Sequence, residues 1–96
     1  MQNLNLEVLA FWQVIKTLSN HYNHVNSVSW HPTQPLLASG SADRTVKIYD
    51  TRDWKVVKTQ NIYEFGVNSV SWHPTHPLLA YGCGDQTVRI YYINHF

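Results

Sequence analysis

The sequence has little cysteine, little charge and no long apolar run, and each shortage argues against a class of protein. Cys83 is the one cysteine among 96 residues, so no internal disulfide can form and a reducing compartment is favoured. Charged residues make up 14% of the chain and the net charge is +1, which argues against nucleic acid as a partner. No segment approaches the roughly 18 consecutive apolar residues of a membrane-spanning helix.

The first nine residues lack the basic segment and apolar core of a signal peptide. We therefore expect an intracellular protein, in the cytoplasm or nucleus, that does not associate with a membrane. Its 44% hydrophobic content indicates a folded chain. A domain of this length buries a smaller share of its surface than a larger one does, so we expect a thin core.

The chain does contain a long internal repeat. Residues 25–33, VNSVSWHPT, recur letter for letter at residues 67–75, an offset of 42 residues. The same offset relates PLLA at residues 35–38 to PLLA at residues 77–80. A period of about 40–45 residues that contains several short strands is typical of β-propeller blades.

Each period contains a series of short predicted strands. Val25–Trp30 alternates apolar and polar residues, which indicates a strand with two different faces. The prolines that follow it predict a turn. The remaining predicted strands of the first period are Leu36–Ser41, Thr45–Tyr49 and Trp54–Thr59, and those of the second are Val67–Trp72, Leu78–Cys83 and Thr87–Tyr91.

The segment before the first period predicts the end of another blade. Gln13–Leu18 is similar to Trp54–Thr59 and is predicted to be an outer strand. Glu7–Trp12 is predicted to be the strand before it, although its apolar spacing also fits a helix. The predicted division is a partial blade at residues 1–18, a first repeat at 19–60 and a second repeat at 61–96 without its own outer strand.

Residues 37–50, LASGSADRTVKIYD, resemble the signature of the WD40 repeat family. The resemblance implies an all-β fold of four-stranded antiparallel blades, here a partial propeller of about two blades. It also implies a buried polar network in each blade. By position, the members of this network are His21, Ser39, Asp43 and, in place of the family's tryptophan, Tyr49; in the second repeat they are Tyr63, Tyr81, Asp85 and Tyr91.

The second repeat keeps only the aspartate of that network, so a conventional network is not expected there. Asp85 can still bind the backbone of its own turn. The first network contains the residue types of a hydrolase triad, in His21, Ser39 and Asp43. Because all three occupy scaffold positions of the repeat, we interpret them as structural and expect no enzymatic activity.

The six histidines do not predict a metal site. His21 with His24, and His73 with His76, are three residues apart, but no cysteine or carboxylate accompanies them at the spacing of metal ligands. We therefore expect neither a metal nor another cofactor.

The resemblance implies a protein–protein interaction scaffold. The family's binding face corresponds to His24, Asn26, Ala42, Gly66, Asn68 and Gly84. Two glycines and an alanine are poor anchors, so a purely structural role stays open. Two blades cannot bury their faces alone. The expected partners are the remaining blades of a longer chain, copies of this chain (for example four, giving an eight-bladed ring) or another propeller chain.

Overall fold

The computed structural model describes residues 12–93, which form seven strands in two antiparallel sheets and contain no helix. The all-β prediction is therefore confirmed. The first sheet has the order β1-β2-β3-β4 and the second β5-β6-β7. The strands are β1 (Val25–Trp30), β2 (Leu36–Ser41), β3 (Thr45–Asp50), β4 (Lys55–Asn61), β5 (Val67–Trp72), β6 (Leu78–Cys83) and β7 (Val88–Tyr92).

Four strands have the predicted bounds, and three differ by one or two residues. β3 ends at Asp50, one residue later than predicted, β4 extends to Asn61, and β7 begins and ends one residue later. Strand ends vary by this amount with the last ladder hydrogen bond. No helix in the described part of the chain is long and apolar enough to cross a membrane.

The predicted outer strand Gln13–Leu18 is not formed. Residues 12–20 have no strand, and Trp12, Val14 and Ile15 are exposed. A strand forms only when its N–H and C=O groups pair with a neighbouring edge, and no strand within residues 12–93 pairs with this segment. The predicted strand Glu7–Trp12 lies outside the described residues except for Trp12. The division at residues 18 and 60 stays a prediction.

The turn after the first strand of each blade is held by its histidine. The imidazole Nδ1 of His31 accepts hydrogen bonds from the backbone N–H of Thr33 (3.1 Å) and Gln34 (3.0 Å). His73 repeats this arrangement at the same sequence offset, with distances of 3.1 and 3.0 Å. The repeated HPT segment is therefore a structural turn in which Nδ1 of each imidazole is the hydrogen-bond acceptor.

The core lies between the two sheets, which pack face to face. Gly40 permits the close approach, since a Cβ there would lie 2.5 Å from Cγ1 of Val67. The buried apolar side chains come from both sheets: Leu36, Ala38, Val46, Ile48, Ile62, Val67, Val70, Trp72, Leu79, Tyr81 and Cys83.

Burial differs between equivalent residues of the two repeats. Trp72 is 7% exposed because the first blade covers it, whereas its equivalent Trp30 is 63% exposed. In the first blade, Ile48 is 2% exposed because the second blade covers it, whereas its equivalent Ile90 in the second blade is 64% exposed. Each blade therefore has one covered face and one largely open face.

Candidate functional site

The first blade contains a hydrogen-bonded chain of three side chains. His21 Nδ1 donates to Oδ2 of Asp43 at 2.8 Å, and His21 Nε2 lies 2.6 Å from the hydroxyl of Ser39. His21 belongs to the loop before β1, Ser39 to β2 and Asp43 to the β2–β3 turn. These hydrogen bonds therefore tie the loop before β1 to the first sheet.

Asp43 is the centre of this network. Its carboxylate also accepts the backbone N–H of Tyr22 (3.0 Å), the backbone N–H of Thr45 (2.9 Å) and the hydroxyl of Thr45 (2.6 Å). Burial alone would raise the pKa of Asp43, but the hydrogen bonds from Thr45 and His21 outweigh it and hold that pKa well below its usual range. The carboxylate is ionised at neutral pH, and each of these bonds is charge-assisted.

Tyr49 lies beside the same network. Its side chain is fully buried. Burial raises the pKa of Tyr49, and a hydrogen bond with Ser39 acts in the opposite direction. The buried phenol therefore lies next to Ser39, at the position where the family resemblance implies a tryptophan.

The arrangement does not provide a hydrolytic nucleophile. Ser39 is 3% exposed, so its hydroxyl cannot reach a substrate carbonyl. The contacts instead satisfy the polar groups that folding buries, which is the condition for such a network to stabilise a fold. Within residues 12–93, no group of three or more histidine, cysteine, aspartate or glutamate side chains could hold a metal ion.

The second blade replaces the network with a local one. Asp85 accepts the backbone N–H of Thr87 (3.1 Å) and its hydroxyl (2.5 Å), and pairs with Arg89 at 2.9 Å. The Thr87 hydroxyl is the main cause of the lowered pKa of Asp85. The side chain of Tyr63, which is equivalent to His21, is exposed and does not take part.

Tyr81 occupies the strand position of Ser39 but acts differently. The ring is buried and packs on Tyr91, with ring centroids 5.1 Å apart. Its hydroxyl is buried without a hydrogen-bond partner among the described residues. Burial, together with the neighbouring Tyr91, raises the pKa of Tyr81 well above its usual range. In the second blade, the contact between the rings of Tyr81 and Tyr91 therefore takes the place of the hydrogen-bonded network of the first blade.

Four of the six face residues form one strip across both blades. The backbone N–H of Ala42 donates to the carbonyl of His24 at 2.9 Å, and Gly84 donates in the same way to Gly66 at 3.0 Å. Gly66 lies against Ala42, because a Cβ on Gly66 would be 3.1 Å from the Ala42 Cα. The strip lies at the end of the blades that carries the β2–β3 and β6–β7 turns, and three of its four members have little or no side chain.

The two asparagines have different surroundings. Asn26 donates its amide to the carbonyl of Val67 at 2.8 Å and so joins the first blade to the second. Asn68, its equivalent, is exposed. Asn26 is exposed as well, but its amide is engaged in the blade junction through the Val67 carbonyl.

Three aromatic residues that do not belong to the predicted binding face border the strip. Tyr22, Tyr63 and Phe65 are exposed aromatic side chains on the loops before β1 and β5. Phe65 adjoins the strip, since its Cβ would lie 3.5 Å from a Cβ on Gly84. These side chains could have been predicted from their position, because aromatic residues in a polar loop have no core to fill.

Comparison with known proteins agrees with this fold. Residues 12–50 and 54–92 match the family model described as WD domain, G-beta repeat. The nuclear distribution protein PAC1 of Tuber melanosporum is 54% identical over 33 residues, which are 34% of this chain and 7% of that protein. The polyadenylation factor subunit 2 of Gibberella zeae is 46% identical over 43 residues, 45% of this chain and 7% of that protein.

A third relative is the probable cytosolic iron-sulfur protein assembly protein 1 of Yarrowia lipolytica, 46% identical over 41 residues, 43% of this chain and 12% of that protein. The matched regions are thus a small part of each of these relatives. The two family matches, in contrast, cover most of this chain. The first match ends with β3, and the second runs from the residue before β4 to the end of β7. The chain belongs to the WD40 repeat family.

Proposed function

We propose that the chain is a non-enzymatic, intracellular protein–protein interaction scaffold that binds a peptide or a protein loop. The observation that supports this most is the continuous strip of His24, Ala42, Gly66 and Gly84. Its members meet across two blades, through the backbone hydrogen bonds within each blade and the contact between Gly66 and Ala42. Ala42, Gly66 and Gly84 have little or no side chain, so a ligand backbone can approach them closely.

The aromatic border supplies the anchors that the strip lacks. Tyr22 is 95% exposed, and Tyr63 and Phe65 also present ring surface to solvent. Aromatic residues dominate the binding energy of many interfaces because they bury a large area at a small cost in side-chain entropy. The proposed ligand lies over the strip and packs apolar side chains on these rings.

The buried network supports this face. His21 and the Tyr22 N–H are both bonded to Asp43, so the loop that presents Tyr22 and His24 is held in one conformation. A loop that is ordered before binding loses less entropy when the ligand arrives. The names of the relatives, nuclear distribution and polyadenylation proteins, agree with a location inside the cell.

The test is affinity capture with the purified full chain. Tyr22→Ala combined with His24→Ala changes two exposed side chains of the face and leaves Asp43 in place. We expect this double variant to lose binding partners that the wild type retains. The control is His76→Ala, which removes an exposed imidazole at the opposite end of the blade. It should capture the same proteins as the wild type.

A purely structural role is the alternative, and Asn26 favours it because its amide already bonds to Val67. If the double variant and the control both retained every partner, the face would not be a binding site. The two blades would then serve to build the propeller.

A further inference from the structure

The junction between the two blades is made by two copies of one sequence. The backbone N–H of Val70 donates to the Ser27 hydroxyl at 3.1 Å, and that of Trp72 to the Ser29 hydroxyl at 3.2 Å. The Trp72 indole donates to the Ser29 carbonyl at 3.1 Å. All of these groups lie in the VNSVSW segments that form β1 and β5, so β1 contributes one half of the junction and β5 the other.

β1 and β5 each also carry the residues that the other strand contributes to the junction, and the contact between the two blades does not use them. Asn68, Ser69 and Ser71 of β5 are the equivalents of Asn26, Ser27 and Ser29, and all three are exposed. Val25, Val28 and Trp30 of β1 are the equivalents of Val67, Val70 and Trp72, and they too are exposed. Since the segments are identical, the free half on β5 is complementary to the free half on β1.

The apolar surfaces next to these strands match in the same way. Val88 and Ile90 are exposed on β7, whereas their equivalents Val46 and Ile48 are buried beneath the second blade. Gly82 is the equivalent of Gly40, and a Cβ there would meet only the Ser69 hydroxyl, at 3.1 Å. The open face of the second blade therefore retains the space that the junction needs.

The segment that precedes β1 matches the free edge of β7. Residues 12–18 align with residues 54–60 in the two family matches, and residues 55–61 form β4, which pairs with β3. The same register on β7 places Thr17 opposite Arg89, as Thr59 lies opposite Lys47. The other pairs in this register are Gln13 with Tyr92, Val14 with Tyr91, Lys16 with Ile90 and Leu18 with Val88.

We propose that the chain binds a second copy of itself head to tail and repeats its own blade junction between the copies. The open face of the second blade packs on β1 of the next copy, and residues 13–18 of that copy complete the sheet beside β7. The contact is heterologous, so it generates a ring where the rotation closes. Propellers have about four to eight blades, which corresponds to roughly two to four copies.

This inference goes beyond the proposed function and uses a different surface. The interaction face concerns other proteins and is tested by capture, whereas the junction concerns the mass of the purified chain alone. Loss of partner capture by the Tyr22 and His24 variant would leave the assembly unchanged. Failure of assembly would likewise leave the capture result to be judged by itself.

The first experiment is sedimentation velocity of the full chain over a range of concentrations. We expect a discrete oligomer that dissociates on dilution. Trp30→Glu places a charge in the junction and should give a folded monomer, with its β-sheet content checked by circular dichroism. The control is Val57→Glu, which changes an exposed apolar residue of β4 outside the junction and should sediment as the wild type does.

The second experiment tests the register and does not depend on the folding of Trp30→Glu. Thr17→Cys and Arg89→Cys are introduced singly into a Cys83→Ser background, since serine is the residue at the equivalent position 41. Mixed under mild oxidation, the two single variants should form disulfide-linked dimers with each other faster than either forms them alone. The bands should disappear on reduction.

A wild-type chain that stays a folded monomer at the highest concentration would overturn the proposal, and would point to a longer chain or another protein at these surfaces. An oligomer that Trp30→Glu leaves intact would also overturn it. So would equal cross-linking in the mixture and in the separate variants, because the register requires position 17 of one copy to meet position 89 of another.

Discussion

The two turn aspartates, Asp43 and Asp85, provide a matched test of the buried network. Each accepts both the backbone N–H and the hydroxyl of the threonine two residues later. They differ in their other partners. Asp43 binds His21 and the Tyr22 N–H, whereas Asp85 binds Arg89. Replacing each aspartate by asparagine therefore perturbs the same kind of turn in both blades. The difference between the two losses of stability then reports the partners that the two aspartates do not share.

The structure predicts unequal costs. The Asp43 side chain is 6% exposed and its partner His21 4%, so Asp43→Asn weakens hydrogen bonds to a charged group at a site that water does not reach. Such bonds contribute about 1.5–3 kcal/mol. The Arg89 side chain is 41% exposed, and a solvated pair of this kind contributes about 0–1 kcal/mol. Asp43→Asn should therefore destabilise the fold more, by about 1–2 kcal/mol.

Urea unfolding at pH 7, followed by tryptophan fluorescence at one chain concentration, measures both losses. Because the folded-state pKa of Asp43 is lowered from 3.8, its stabilising effect is complete above pH 3.8 and is lost as the pH falls through the folded-state pKa. The gap between wild type and Asp43→Asn should narrow in that acidic range. Equal losses for the two variants at pH 7 would refute the role assigned to the network.

Four further predictions concern single positions. Burial lowers the pKa of His31 below 6.5, so the contribution of His31 to stability is full above pH 6.5 and falls as the pH drops below that value. Between pH 7.5 and pH 5.5 the wild type should therefore lose stability relative to His31→Asn in unfolding measurements. An unchanged difference in the free energy of unfolding would contradict this. Gly40→Ala should cost about 1–3 kcal/mol in thermal unfolding because its Cβ would lie 2.5 Å from Val67. Gly84→Ala, whose Cβ would meet Phe65 at an ordinary 3.5 Å, should change stability by at most about 0.5 kcal/mol. Tyr81→Phe removes a buried hydroxyl that has no hydrogen-bond partner within residues 12–93 and should leave the free energy of unfolding unchanged or higher. A loss above about 1 kcal/mol would show that the hydroxyl is bonded.

The features that could be predicted from the sequence are those that depend on neighbours along the chain. The alternation in Val25–Trp30 predicted β1 correctly, and the prolines predicted the turn that follows it. The family resemblance pointed to His21, Ser39 and Asp43, whose side chains lie within hydrogen-bond distance in the structure; their structural role stays a prediction. The two hydrogen bonds from Thr45 to Asp43 were not predicted. Threonine is common in strands, so its presence at the start of β3 did not suggest a further role.

The features that could not be predicted depend on contacts between distant segments. Gln13–Leu18 has the residues of a strand, but a strand also needs an edge beside it, and no described strand of the same chain pairs with this segment. The hydroxyls of Ser27 and Ser29 were expected only to face away from Val28 and Trp30. Their hydrogen bonds to the next blade depend on where that blade lies, which no local pattern specifies.

The proposed assembly requires more binding energy than a repeat of the β1–β5 contact supplies. Inside the chain the two blades are covalently joined, so their contact has no cost of association. Between copies the same contact must offset about 4–15 kcal/mol of lost translational and rotational freedom. A repeated β1–β5 contact alone is a weak source of that energy, because part of it comes from exposed polar groups. Pairing residues 13–18 with β7 adds a strand ladder and covers Val14 and Ile15, which are exposed in the single chain. Closing the ring makes the last junction intramolecular in effect, so assembly should be cooperative, with few open intermediates between monomer and closed ring.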